Sequence, residues 1–130
     1  MNSYGKQSTN LRDAFVVGWQ VWRKSLTQGP KIQEFESAVA KQVKAKFAVA
    51  VSSATAGLHL ALLALELETN SEVLTSPISF LSSSNAALYS GLIPRFVDID
   101  PETLNISISK TVQAMTDCDS IKALIPVHMA

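Results

Sequence analysis

The run Phe47-Ala48-Val49-Ala50-Val51 is apolar and partly β-branched, and it stops at Ser52-Ser53. Directly behind it, Ala54 to Leu67 is dominated by alanine and leucine, both strong helix formers. A strand that ends in small hydroxyl residues and turns into a helix aims unpaired backbone amides at one spot. The helix dipole adds partial positive charge there. Such a corner suits a phosphate group, and it commits the chain to strand-then-helix order.

That order continues. Leu11 to Lys24 has Phe15, Trp19 and Trp22 at helical spacing, and Leu26 to Pro30 breaks the pattern. Ile32 to Val43 repeats the helical stripe through Ile32, Phe35, Val39 and Val43. After the strand at Phe47–Val51, the helix Ala54–Leu67 is apolar nearly all round, which predicts burial between layers. Strands follow at Glu72–Thr75, Pro94–Val97 and Ile121–Val127, with helices at Phe80–Tyr89, closed by Gly91, and at Ser109–Met115. Residues 1–10 read as an extended arm. Short, almost wholly apolar strands alternating with helices predict an α/β fold, a mostly parallel sheet flanked by helices.

Hydrophobic residues make up 47% of the chain and charged residues 17%, which favours folding over disorder. Eleven basic residues balance eleven acidic ones, so no charge excess argues for nucleic acid. Cys118 is the one cysteine, which excludes an internal disulfide and fits a reducing cytoplasm. The polar N-terminus lacks the apolar core of a signal peptide, and the run Leu58–Leu65 is too short to span a bilayer.

In a parallel sheet, ligands gather beyond the carboxyl ends of the strands. Ser52–Gly57, Ser76–Phe80 and His128 stand there on this reading. Each has two interpretations. Ser52–Gly57 is either an ordinary helix cap or a phosphate site, although it matches neither the Gly-rich dinucleotide fingerprint nor the Gly-Lys-Ser/Thr loop. Phe80 is either a core residue or a platform for a flat ring. His128 is either structural or an acid, base or hydrogen-bond donor. His59 reads as a packed core residue. Asp98 and Asp100, ahead of Pro101, read as turn and cap residues, because two carboxylates are too few for a cation site.

Taken together, these segments resemble the N-terminal part of the DegT/DnrJ/EryC1/StrS aminotransferases, pyridoxal-phosphate enzymes that aminate keto groups on nucleotide-linked sugars. The resemblance is carried by Leu26-Thr27-Gln28-Gly29-Pro30-Lys31, Glu34-Phe35-Glu36 and Ser53-Ala54-Thr55-Ala56-Gly57-Leu58-His59-Leu60-Ala61-Leu62. It continues through Thr75-Ser76-Pro77-Ile78-Ser79-Phe80, Asn85-Ala86-Ala87-Leu88, Phe96-Val97-Asp98-Ile99-Asp100-Pro101-Glu102-Thr103-Leu104-Asn105-Ile106 and Ile125-Pro126-Val127-His128. Within the family, Tyr4-Gly5-Lys6-Gln7, Leu26-Thr27-Gln28-Gly29-Pro30 and Ser76–Phe80 are most similar to the branch that makes 4-amino-4,6-dideoxy sugars on UDP for pseudaminic acid. The enzyme that aminates UDP-4-keto-arabinose shares the Ser-Ser-Ala-Thr-Ala-Gly run.

The resemblance implies fold type I of the pyridoxal-phosphate enzymes: an arm, helix and loop over residues 1–31, then the first part of the large domain over 32–130. It implies that Ala54, Thr55 and Ala56 hold the cofactor phosphate and that Phe80 stacks on the pyridine ring. It places Tyr4, Lys24, Ser25, Leu26, Thr27 and His128 near the sugar nucleotide. It also implies glutamate as amino donor, a cytoplasmic homodimer and active sites at the subunit interface.

The family's Schiff-base lysine and the aspartate that pairs with the pyridine nitrogen come later than Ala130, and none of the lysines present sits in a matching context. The expectation is therefore an N-terminal piece that does not catalyse alone and that is poorly soluble or oligomeric. Two rivals stand beside it: a non-catalytic relative that binds cofactor or nucleotide sugar, and an unrelated nucleotide-binding α/β domain.

Overall fold

The computed structural model describes residues 10–22 and 29–129. The chain falls into two compact units, Met1–Ala50 and Val51–Ala130.

In the first unit, helix α1 spans Leu11–Trp22 and helix α2 spans Pro30–Val43. Asn10 and Asp13 cap α1 reciprocally. The Asp13 amide donates to Asn10 Oδ1 at 3.0 Å, and the Asn10 amide donates to Asp13 Oδ2 at 2.8 Å. Pro30 opens α2 in the first turn, where a missing N–H leaves no bond unmade, so the helix begins two residues before the predicted Ile32. The segment after α2 corrects the sequence reading: Phe47–Val51 is not a strand. Phe47 and Val49 are each 76% exposed, and the Ala50 amide donates to Glu36 Oε1 at 2.8 Å. An extended run becomes a strand only where a second backbone completes its ladder, and no described segment does so here.

The second unit is a parallel α/β layer structure. Helix α3 (Ala54–Leu63) leads into strand β1 (Glu72–Thr75), helix α4 (Ser82–Tyr89), strand β2 (Ile93–Phe96), helix α5 (Ile108–Asp117) and strand β3 (Ile121–Ile125). The sheet order is β2-β1-β3, with both pairings parallel. Val73 pairs with Pro94 on one side and Ala123 on the other. Pro94 is tolerated because β2 lies at an edge among the described strands. Ile93 and Val97 donate to the Ser71 and Thr75 carbonyls at 3.0 Å each, so the alternate positions, Pro94 among them, face away from β1.

The path from β1 through α4 to β2 runs one way along the sheet. The path from β2 through α5 to β3 runs back across β1. Right-handed crossovers then put α4 and α5 on opposite faces. Burial agrees: Val73 and Leu74 point to opposite faces and both are fully buried. The core unites Leu62 of α3, Val73 of β1, Ala86 and Ala87 of α4, and Leu92, with Leu58, Leu67, Ala123 and Ile125 against it.

Further expectations change: helix α4 begins at Ser82 and not at Phe80, and strand β3 ends at Ile125 and not at Val127. Helix α3 ends at Leu63 instead of Leu67, in a turn where Glu66 has a φ of 49°. Leu62 is its one buried residue, because only one side of α3 meets the core among the described residues. His59 is half-buried instead of core-packed, with its ring edge-on to Tyr89 at 5.8 Å.

Candidate functional site at the carboxyl end of the sheet

Helix α3 starts where Ser53, in extended conformation, accepts the Ala56 amide on Oγ at 3.2 Å and the Gly57 amide on its carbonyl at 3.0 Å. The amides of Ala54 and Thr55 precede the first intrahelical bond and have no partner among the described residues. The Thr55 hydroxyl likewise bonds to none of them, and Thr55 and Ala56 are half-buried. Two free amides, one hydroxyl and the positive end of a helix dipole form a set of donors that fits a phosphate dianion. The Ala56 N–H already serves the serine cap and is not one of these free donors.

The loop after β1 is built by serine hydroxyls. Thr75 Oγ1 donates across the sheet to the Ile125 carbonyl at 3.0 Å, tying the carboxyl ends of β1 and β3 together. Ser76 is fully buried; its Oγ accepts the Ile78 amide at 3.2 Å and donates to the Ile78 carbonyl at 3.3 Å. Ser79 Oγ lies 3.2 Å from the Ser76 carbonyl and 3.3 Å from that of Phe80. The Phe80 carbonyl accepts the Ser83 amide at 3.1 Å as α4 begins. The backbone of Phe80 is thus held from both sides while its side chain is 79% exposed. A held backbone under an exposed aromatic face can serve as a stacking platform, and no described residue packs Phe80 into the core.

His128 follows β3 through Pro126 and Val127 and is exposed. Phe80 and His128 therefore stand beyond the carboxyl ends of two adjacent parallel strands. Among the described residues, no hydrogen bond or ring contact joins Phe80, His128 and the first turn of α3 to one another. Tyr4, Lys24, Ser25, Leu26 and Thr27 lie outside the described residues.

The turn after β2 occupies the same end of the sheet. Asp98 Oδ1 accepts the Ile99 amide at 3.0 Å, and its Oδ2 pairs with Lys110 Nζ at 2.6 Å. Lys110 first, then the Ile99 amide, hold the Asp98 carboxyl below its ordinary value. Asp98 and Asp100 thus do the turn and cap work expected of them. Cys118 belongs to the opposite end. Its Sγ lies 2.9 Å from Ser120 Oγ and 3.7 Å from Glu72 Oε2, which takes a 2.8 Å bond from Arg95. That Arg95 bond is the main reason the Glu72 carboxyl is pulled down.

Sequence reasoning missed Thr75, Ser76 and Ser79 as the frame of the Phe80 loop, and Asn105 as a partner of the β3 exit. The available signal was a run of hydroxyl residues closing an apolar strand, where each buried hydroxyl must find a partner.

The family model of the DegT/DnrJ/EryC1/StrS aminotransferases matches residues 14–130. The spore coat polysaccharide biosynthesis protein SpsC of Bacillus subtilis is 48% identical over 118 residues, which is 91% of this chain and 28% of SpsC. In solved structures, an aminotransferase from Psychrobacter cryohalolentis superposes with a TM-score of 0.86 at 27% identity, covering 95% of this chain and 31% of that one. The E. coli GDP-4-keto-6-deoxy-D-mannose-3-dehydratase with bound hydrated PLP gives 0.83 at 28% identity, covering 93% and 32%. The chain thus spans about a third or less of these proteins. It belongs to the DegT/DnrJ/EryC1/StrS aminotransferase family, and its parallel α/β structure is the N-terminal part of the pyridoxal-phosphate-dependent aminotransferase fold.

Proposed function

We propose that this family member contributes the phosphate- and ring-binding part of a pyridoxal-phosphate-dependent sugar-nucleotide aminotransferase. The substrate in this reading is a UDP-linked 4-keto-6-deoxy sugar, and glutamate is the amino donor. The supporting observation is the first turn of α3, where the amides of Ala54 and Thr55 and the Thr55 hydroxyl have no partner among the described residues. When bound there, pyridoxal phosphate would supply an electron-sink ring, the chemistry that amino-group transfer needs.

The chain's own residues bind and orient. The Ala54 and Thr55 amides and Thr55 Oγ1 take the phosphoryl oxygens, with Ala56 completing the turn. Phe80 covers one face of the ring and keeps water from it. The family resemblance assigns Tyr4, Lys24, Ser25, Leu26, Thr27 and His128 to substrate binding in this reading. No lysine of this chain is assigned the Schiff-base role in this reading; among those described, Lys31 pairs with Glu34, Lys110 pairs with Asp98, and Lys122 is an exposed residue of β3.

Similarity to SpsC supports a role in polysaccharide biosynthesis, and the Tyr4–Gln7 and Ser76–Phe80 segments support the pseudaminic acid branch. A homodimer with shared sites and a cytoplasmic location belong to the same reading. Among the described residues, no helix is long and apolar enough to cross a membrane.

A second reading is favoured by the likeness to the E. coli dehydratase, namely removal of a sugar hydroxyl through the same cofactor. Binding and product analysis decide between them. Pyridoxamine 5′-phosphate should bind at least about tenfold more tightly than pyridoxamine, since charge-assisted bonds to phosphate carry the affinity. Thr55→Val and Phe80→Ala should each weaken it. Equal binding of the two compounds, or wild-type affinity in Thr55→Val, overturns the phosphate site. Mass analysis of the sugar product after incubation of the full-length protein with glutamate and UDP-4-keto-6-deoxy sugar separates amination from loss of water.

A further inference from the structure

The β3 exit is anchored by a side chain far away in sequence. The Met129 amide donates to Asn105 Oδ1 at 3.0 Å, directly after His128. Asn105 sits in an internally braced turn. Asp100 Oδ1 accepts the Glu102 amide at 3.0 Å, the Thr103 amide at 2.9 Å and the Thr103 hydroxyl at 3.1 Å. The Leu104 amide donates to the Asp100 carbonyl, and the Asp100 amide donates to the Asn105 carbonyl, both at 2.8 Å. Ile99 and Ile106 form an antiparallel bridge, and the Ser107 amide closes the unit on the Asp98 carbonyl at 2.9 Å. Leu104 adopts a φ of 58°, a left-handed conformation that a leucine takes only when its surroundings impose it. The turn therefore holds Asn105 in one orientation, half-buried, with its carbonyl oxygen toward the end of β3.

An exposed histidine past the last ladder bond of its strand has many orientations open to it. One acceptor fixed at the next residue removes much of that freedom, and a ligand meeting His128 then pays less ordering entropy. We propose that Asn105 is a positioning residue that holds the Val127–Met129 segment and, through it, His128 at the mouth of the sugar-nucleotide site. This inference rests on the reading of His128 as a substrate contact.

The test compares Asn105→Ala with Asn105→Asp, which retains an acceptor oxygen, in the full-length protein. Two quantities are read: hydrogen exchange at the Met129 amide, and affinity for UDP-N-acetylglucosamine as a nucleotide-sugar probe. Asn105→Ala should speed exchange about five- to tenfold, the factor for losing one net hydrogen bond. It should weaken the probe several-fold while leaving pyridoxamine 5′-phosphate affinity within about twofold, because sites without shared partners respond independently. Asn105→Asp should restore both quantities. His128→Ala should weaken the probe to the same degree, and the double variant should add nothing further.

Unchanged exchange in Asn105→Ala, failure of Asn105→Asp to rescue, or additive losses in the double variant each overturn the proposal. A wild type with a protected Met129 amide that binds no probe overturns the reading of the site, and the positioning role with it. A wild type that binds the probe with an unprotected Met129 amide overturns the role of Asn105 alone.

Discussion

Asp100 gathers three donors on a single carboxylate oxygen, and this has a pH consequence. The Thr103 amide first, then the Glu102 amide and the Thr103 hydroxyl, hold its carboxyl below the ordinary 3.8. A carboxyl lowered in the folded state contributes stability that is fully present above its unfolded value. That contribution is lost as pH falls through the lower folded value. Acidification below pH 3.8 should therefore loosen the turn that carries Asn105. Denaturant titrations at a series of acid pH values should show a shallower fall for Asp100→Asn than for wild type; parallel curves would refute this assignment. At this scale much was legible beforehand, since an aspartate ahead of a proline turn is recognisable from its neighbours alone. Asn105 was not, because its partner Met129 lies in another element and only folding brings the two together.

Among the elements, α4 shows how far local chemistry reaches. Gly91 has a φ of 71° and follows the helix as its left-handed stop. The Leu92 amide bonds to the Ala87 carbonyl at 2.9 Å and the Gly91 amide to that of Leu88 at 3.1 Å, the paired bonds of a Schellman end. Nothing crowds a Cβ here, the nearest atom being Thr69 Cγ2 at 4.0 Å, so the cost of a side chain is purely conformational. Gly91→Ala should destabilise the fold by about 1 kcal/mol, as for an L-residue forced left-handed. Chemical denaturation measures it, and an unchanged midpoint would contradict this account of the α4 stop. Helix α3 is the contrasting case. Its leucines predict burial all round, yet only Leu62 is buried, because periodicity reports which residues are apolar and not how many neighbours are available to cover them.

For the whole molecule, the same mismatch recurs in larger form. Phe15, Trp22, Phe47, Val49 and Phe80 are each at least three-quarters exposed, and β2 presents an open sheet edge among the described strands. Apolar surface and unpaired edges of this kind favour association. The 130-residue chain by itself should therefore self-associate with rising concentration in sedimentation velocity. A single monomeric species across a hundredfold range of concentration would count against it.

What could be read without coordinates were the features governed by near neighbours: the alternation of helices and strands, the serine cap and donor-rich first turn of α3, the glycine stop and the aspartate turn. Short-range hydrogen bonding and backbone sterics decide these within a few residues. Tertiary structure alone decided that β1 lies between β2 and β3, that Phe47–Val51 forms no strand, that Phe80 stands free on a serine-braced loop, and that Asn105 reaches the end of β3. Each of these depends on which distant backbone or side chain arrives to complete a bond or cover a face, and no local pattern carries that information.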